Sequence, residues 1–188
     1  MEFTLIYQGP LKPNGKPKDK QSIRRVFHTQ LKELVKQPNI AKYGPPPGIV
    51  TYNYDPKDIF SKRQIGPFNF EALVNERLHL IAGLKITMLR PEAPGSIVTK
   101  GGDIDNRLKT LLDSLKMPKD TNEIHGNDSP KAGENPFYCL LEDDSLITSL
   151  SIITDRLLEP CEDSSFVNLQ VHVETKATEL TEDNMGLM

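Results

Sequence analysis

Two short stretches carry acids and a lysine at spacings that could do metal and phosphate chemistry. In Lys100 to Leu115, KGGDIDNRLKTLLDSL, a Gly101-Gly102 turn is followed by Asp103, Asp105, Asn106, Lys109 and Asp113. In Leu141 to Ile147, LEDDSLI, the pair Asp143-Asp144 stands well downstream. Asp103 and Asp105 are two residues apart, so at a strand-to-helix turn both can face one site. Magnesium is a hard cation that takes oxygen ligands and usually needs only one or two carboxylates. Carboxylates gathered without a cation repel one another and their pKa values rise, so a bound metal would keep such a group ionised. Lys109 lies one helical turn after Asp105 and can reach the same face. A plainer reading stands beside this one. Acids at a helix start are favoured by the dipole and the free N–H groups there. Lys109 would then make a surface pair to Asp105 worth only about 0.3–0.5 kcal/mol. Asp113 continues the row, and the expectation is that it anchors Lys109.

These residues need a helix and at least one strand to hold them. Leu108, Leu111, Leu112 and Leu115 recur at helical spacing and make one apolar stripe after the acids. Leu146 to Ile153 reads as the strand that follows Asp143-Asp144, after a brief apolar lead-in at 137–141. Upstream, Glu2 to Gln8 alternates as a half-buried strand. A basic turn-rich loop over 9–18 leads into a helix from Asp19 or Lys20 to Lys36. Ile23, Val26, Phe27, Leu31, Leu34 and Val35 form its stripe, and Asp19 or Ser22 can cap it. His28 sits beside that stripe as a packed or exposed histidine. Arg24, Arg25, Lys32 and Lys36 are expected on or near the outer face. Residues 37–66 form a long irregular stretch, with a short edge strand possible at Val50 to Tyr54. Phe68 to Val74 and Leu78 to Leu89 read as two strands joined in a hairpin at Asn75-Glu76, although neither turn residue is a glycine. Residues 116–136 are polar and rich in proline and glycine, which predicts a flexible surface insertion. Phe166 to Val173 is a further strand, and the acidic chain beyond it is expected to fray.

The order Asp103-Ile104-Asp105-Asn106, Lys109, Asp113, then Asp143-Asp144 opening a strand, resembles the RusA-type Holliday-junction resolvases. These are small magnesium-dependent endonucleases that cut branched DNA. The match covers residues 100 to 116 and 141 to 155. The resemblance implies an α+β fold, with a small mixed β-sheet packed by two main helices. It implies a single domain, placed over 1–175, to which composition adds loop insertions at 37–66 and 116–136 and a flexible acidic tail at 176–188. By the same resemblance Asp103, Asp105 and Asp144 are the catalytic acids and hold magnesium, with manganese as a substitute. Lys109 is the assisting cation, and Asp143 and Asp113 support the acids. The implied partners are branched DNA, as in recombination and repair, and a second copy in a homodimer. Phosphodiester hydrolysis by such a site needs the metal to make hydroxide near neutral pH and to offset charge on the attacked phosphate. The reading from another class is a catalytically inactive module that binds DNA or protein on the same scaffold.

Composition limits these readings. A chain of 188 residues can bury a real core. The net charge of −3 is low for a DNA-binding protein, but its distribution is uneven. Residues 1–43 balance to +6, residues 44–133 to +1 and residues 134–188 to −10. Arg24 and Arg25 in the basic front, with Lys100 and Arg107 near the acids, are therefore the expected phosphate contacts. Tyr52 or Tyr54 could stack on an unpaired base, with Lys42, Lys57, Lys62 and Arg63 nearby. No apolar run approaches the length that spans a bilayer, and the start MEFTLIYQG lacks the features of a signal peptide. Cys139 and Cys161 show no metal or redox spacing. The expected location is the cytoplasm. A calcium EF-hand loop is excluded, because its glycine and terminal acid positions fall on Leu108 and Ser114.

Overall fold

The computed structural model describes residues 1–37, 59–92, 104–126, 128–181 and 183–187. It is an α+β fold built on two mixed sheets and two helices. In chain order the elements are β1 (Glu2–Pro10), α1 (Pro17–Val35), β2 (Ser61–Ile65), β3 (Phe68–Val74), β4 (Leu80–Arg90), α2 (Ile104–Leu115), β5 (Phe137–Leu141), β6 (Ile147–Arg156) and β7 (Phe166–Ala177). The larger sheet has the order β1-β7-β4-β6, antiparallel except for the β4–β6 pair. The smaller has the order β2-β3-β5, with β3 and β5 parallel. No helix among the described residues is long and apolar enough to cross a membrane.

The second sheet corrects the expectation of one. β3 and β4 do not form a hairpin, because each belongs to a different sheet. Asn75-Glu76 lacks the residues a two-residue hairpin turn requires. Instead buried Asn75 accepts the Leu78 N–H at 3.0 Å and donates to the carbonyls of Ile59 and Leu73. A single helical turn at Glu76–Leu78 then carries the chain across, and His79 takes φ +52° to enter β4. β2 was hidden inside the stretch read as irregular. Of that stretch, Val50 to Tyr54, Lys42 and Lys57 lie outside the described residues.

α1 begins at Pro17, two residues before the expected start. Proline is pre-set for the first helical position, and Asp19 reaches back to accept the Lys16 N–H at 3.0 Å. The helix buries two adjacent faces. Ile23, Phe27 and Leu31 enter the main core with Leu5, Tyr7, Leu84, Ile86, Val171 and Leu111. Arg24 and His28 face α2 and β5: Arg24 bonds the Asp113 and Lys116 carbonyls, and His28 accepts the Tyr138 N–H at 2.8 Å while its ring stacks on Phe137.

A second, smaller core lies under the three-stranded sheet: Ile65, Phe68, Phe70, Phe137 and Cys139, closed by Met117 and Ile124. Residues 116–136 are therefore not simply a flexible surface insertion. Their apolar side chains cover one face of a sheet that would otherwise be wet. The tail expectation is corrected too. β7 runs on to Ala177, Asn184 is fully buried and donates to the Leu78 carbonyl at 2.9 Å, and Leu187 enters the main core.

Candidate functional site

α2 fixes the first acidic stretch by its buried side. Arg107 is 2% exposed and donates to the carbonyls of Leu11 at 2.6 Å and Ser165 at 3.4 Å. Thr110 packs beside Gly15 and accepts its N–H at 2.8 Å. These bonds seat the first half of the helix where β1 ends and β7 begins. They turn Asp105, Lys109 and Asp113 to the other side, and Asp105 and Lys109 are exposed.

The second acidic stretch is set by the end of β5. Lys116 pairs with Leu141 as an isolated bridge, and the Met117 N–H reaches the Leu141 carbonyl at 2.9 Å. Asp143 then caps a single helical turn at Asp144–Leu146 by accepting the Ser145 N–H at 3.1 Å. That N–H, with Lys119 in support, holds the Asp143 carboxyl below the usual carboxylate range, against a smaller opposing effect of burial. Lys119 lies 3.3 Å from Asp143, and that bond raises its own pKa.

The two stretches meet through Lys116. Its side chain is 6% exposed, and its Nζ lies 3.1 Å from Asp144 Oδ1 and 3.9 Å from Asp113 Oδ1. Asp113 also holds Lys20 of α1 at 2.6 Å. Asp105, Lys109, Asp113, Lys116 and Asp144 thus form one row of alternating charge, starting in the first turn of α2 and ending on the turn before β6. The row corrects one expectation. Asp113 anchors Lys20 and Lys116, whereas Lys109 makes no ion pair among the described residues.

Not every acid converges. Asp113 is eight residues from Asp105, about 12 Å along the helix axis, and no contact joins Asp105 to Asp144 among the described residues. Asp105 is engaged locally, accepting the Asn106 N–H at 2.8 Å. Asp103 and Lys100 lie outside the described residues. Among the described residues no three His, Cys, Asp or Glu side chains gather as a metal group. The donor chemistry that remains still suits a hard cation, which needs only one or two carboxylates. Asp105 is exposed, and the Asp144 side chain is 42% exposed with one oxygen spent on Lys116.

The expected phosphate contacts need the largest correction. Arg24 is 1% exposed, with its guanidinium on the Lys116 and Asp113 carbonyls and on Gln21. Burial pushes its pKa down, as it does for Arg107. Neither guanidinium is at the surface where a phosphate would lie. Arg25 is committed as well, bonded to both Asp128 oxygens at 2.8 Å and to Glu134 at 2.9 Å. Arg63 lies 3.8 Å from Glu142. The cations beside the acids are instead Lys20 at Asp113, Lys116 between Asp113 and Asp144, and Lys119 at Asp143. Of these, Lys116 was within reach of sequence reasoning, because it follows Asp113 by three residues on one helical face. Lys20 comes from a separate helix and left no local signal.

Comparison with protein-family models, with curated proteins and with solved structures finds no match to this chain.

Proposed function

We propose that the chain is a magnesium-dependent endonuclease acting on Holliday junctions or related branched DNA. The observation that carries this reading is the Lys116 bridge. It brings Asp144, from a stretch remote in sequence, beside Asp113 of α2. In this reading Asp103, Asp105 and Asp144 would hold the metal, which requires Asp144 to close on the start of α2, since no contact joins it to Asp105 among the described residues. Magnesium, when bound, supplies charge compensation at the attacked phosphodiester and eases deprotonation of water near neutral pH. Lys109, exposed one turn from Asp105, offsets charge on the phosphate. Asp113 and Asp143 act indirectly, by fixing Lys20, Lys116 and Lys119. Recognition would rest on shape and backbone, since no base-reading element stands out among the described residues.

A second reading, a non-catalytic module for DNA or protein on the same scaffold, draws on a specific observation: Arg24 and Arg107 are spent inside the fold. One assay separates the two. A nuclease cleaves a synthetic four-way junction with magnesium, and Asp105→Asn or Asp144→Asn abolishes cleavage while junction binding persists. A wild-type protein that binds the junction and cuts no branched substrate sinks the nuclease reading and leaves the module.

A further inference from the structure

The larger sheet ends differently on its two sides. Along β1, Gln30 of α1 accepts the Ile6 N–H at 2.8 Å and donates to the Ile6 carbonyl at 2.7 Å, so a side-chain amide fills part of a neighbouring strand's place. Along β6, β4 pairs with one side, and among the described residues no strand pairs with the other. Strand edges are usually blunted by charge, proline or short length. β6 is ten residues long, and Ile147 to Thr154, ITSLSIIT, holds no charge and no proline. Leu150 and Ile152 continue the core face of β4 beside buried Leu84 and Ile86, yet Leu150 is 43% exposed. On the other face Ile153 is 64% exposed.

Charge selects what can lie along this open edge. The acids at its start are already paired, Asp143 with Lys119 and Asp144 with Lys116. The stretch at its end is not balanced: residues 155–163 hold Asp155, Glu159, Glu162 and Asp163 against Arg156 alone. Asp155, Glu159 and Glu162 are exposed and make no ion pair among the described residues. Such a stretch repels a nucleic-acid backbone. A second copy fits this edge no better, because antiparallel pairing about Ser151 sets Glu159 against Asp143, and like charges placed opposite one another destabilise a strand pair.

We propose that β6 docks an extended segment of a partner protein, antiparallel, with lysine or arginine at its N-terminal end and an apolar residue at every second position after that. Backbone hydrogen bonds to an open sheet edge supply affinity, and the alternate side chains supply selectivity. Residues opposite one another in antiparallel strands share a face. The partner's apolar side chains, set against Leu150 and Ile152, therefore extend the core face by one strand, and such apolar cross-strand pairs stabilise a sheet. The antiparallel direction brings the partner's N-terminal end to the end of β6, where its cations meet Asp155, Glu159 and Glu162. The inference holds whether the chain cleaves DNA or only binds it, since it uses neither a metal nor the acids of α2, and its test measures no cleavage.

The experiment is a chemical-shift titration of the isotope-labelled full chain with the synthetic peptide KKTVSVTVS, beside EETVSVTVS as the charge-reversed control. Amide shifts should saturate, concentrate in 147–156, and report an affinity for the basic peptide at least about tenfold above that for the acidic one. Ser151→Lys, which puts a charge on the bare strand, should weaken binding by about tenfold or more. Asp155→Lys combined with Glu159→Lys should reverse the preference between the two peptides. All three positions are exposed, so circular dichroism should match wild type. An absence of saturable shifts in β6 overturns the proposal. So does equal affinity for the two peptides, or a preference that survives the double charge reversal. Shifts in β6 that grow with protein concentration in the absence of peptide assign the edge to a second copy and overturn it as well. Should the variants fail to fold, the two peptides on wild type decide alone.

Discussion

Lys116 Nζ lies 3.1 Å from Asp144 Oδ1, but the two partners are unequally buried: the lysine side chain is 6% exposed and the aspartate 42%. Removing either partner therefore has a different cost. Among the described residues, Asp144→Ala leaves the buried ammonium with Asp113, 3.9 Å away, as its remaining ion pair. Stranding a buried charged donor costs about 1–3 kcal/mol or more. Lys116→Met leaves a carboxylate that water can reach, and its loss should be about 1 kcal/mol or less, as for partly exposed pairs. Urea unfolding of the two variants checks the order. Equal losses, or a larger loss for Lys116→Met, would show that the lysine is not the trapped partner.

Arg24 closes the end of α2 from inside, donating to the Asp113 and Lys116 carbonyls. Those are among the carbonyls a helix end leaves without intrahelical partners. Arg24→Ala should cost about 3 kcal/mol or more, from lost packing and orphaned carbonyls. Arg24→Lys should recover only part of that, since an ammonium cannot reproduce the fork. Chemical denaturation reads both. A loss below about 0.5 kcal/mol for Arg24→Ala, the range of a surface change, would return Arg24 to the surface role its charge first implied.

The misplacement of Arg24 and Arg107 shows where sequence reasoning stopped. Helical periodicity found α1 and α2, because Ile23, Phe27, Leu31, Leu111 and Leu115 are apolar and regularly spaced. Alternation found β1, β4 and β7 for the same reason. Periodicity does not report a second buried face made of polar groups. Arg24 is buried against helix-end carbonyls, and a lone arginine beside an apolar stripe looks the same whether it meets water or a carbonyl. The site was legible in part. Asp105, Asp113 and Asp144 stood out by type and spacing, but of the two lysines at Asp113 and Asp144 only Lys116 is local, and Lys20 arrives through α1–α2 packing. The second sheet was the least legible, since β2 carries Lys62 and Arg63 in an apolar-poor stretch, and Met117 and Ile124 are isolated apolar residues in a polar segment.

Asp143 makes the fold sensitive to acid. Its folded pKa is depressed, first by the Ser145 N–H and then by Lys119, below an unfolded value of about 3.9. A depressed carboxylate gives stability that is fully present above its unfolded pKa and is lost as pH falls through the folded one. Glu134, held down by Arg25, acts in the same direction. Stability should therefore fall as pH drops below about 4, and Asp143→Asn should flatten that fall while changing little near neutrality. Urea midpoints measured across the acidic range test this. An unchanged slope in Asp143→Asn would mean that the carboxylate titrates alike in both states.

The C-terminal segment should behave as part of the fold. The Thr178 N–H reaches the His79 carbonyl at 2.9 Å, Asn184 donates to Leu78 at 2.9 Å and Glu179 at 2.7 Å, and Leu187 is 2% exposed in the main core. Burying one leucine is worth about 1.5–3 kcal/mol, and leaving the Leu78 carbonyl unpaired costs about 1–3 kcal/mol more. Ending the chain at Ala177 should therefore lower the melting temperature by several degrees or more. Asn184→Ala alone should account for roughly half the loss, because Asn184 joins the segment to the turn before β4. Proteolysis supplies a second reading: cleavage within 178–187 should be slow in wild type and fast in Asn184→Ala. If truncation leaves the melting temperature unchanged, the segment rests on the surface without stabilising it, and its charge alone would then explain its composition.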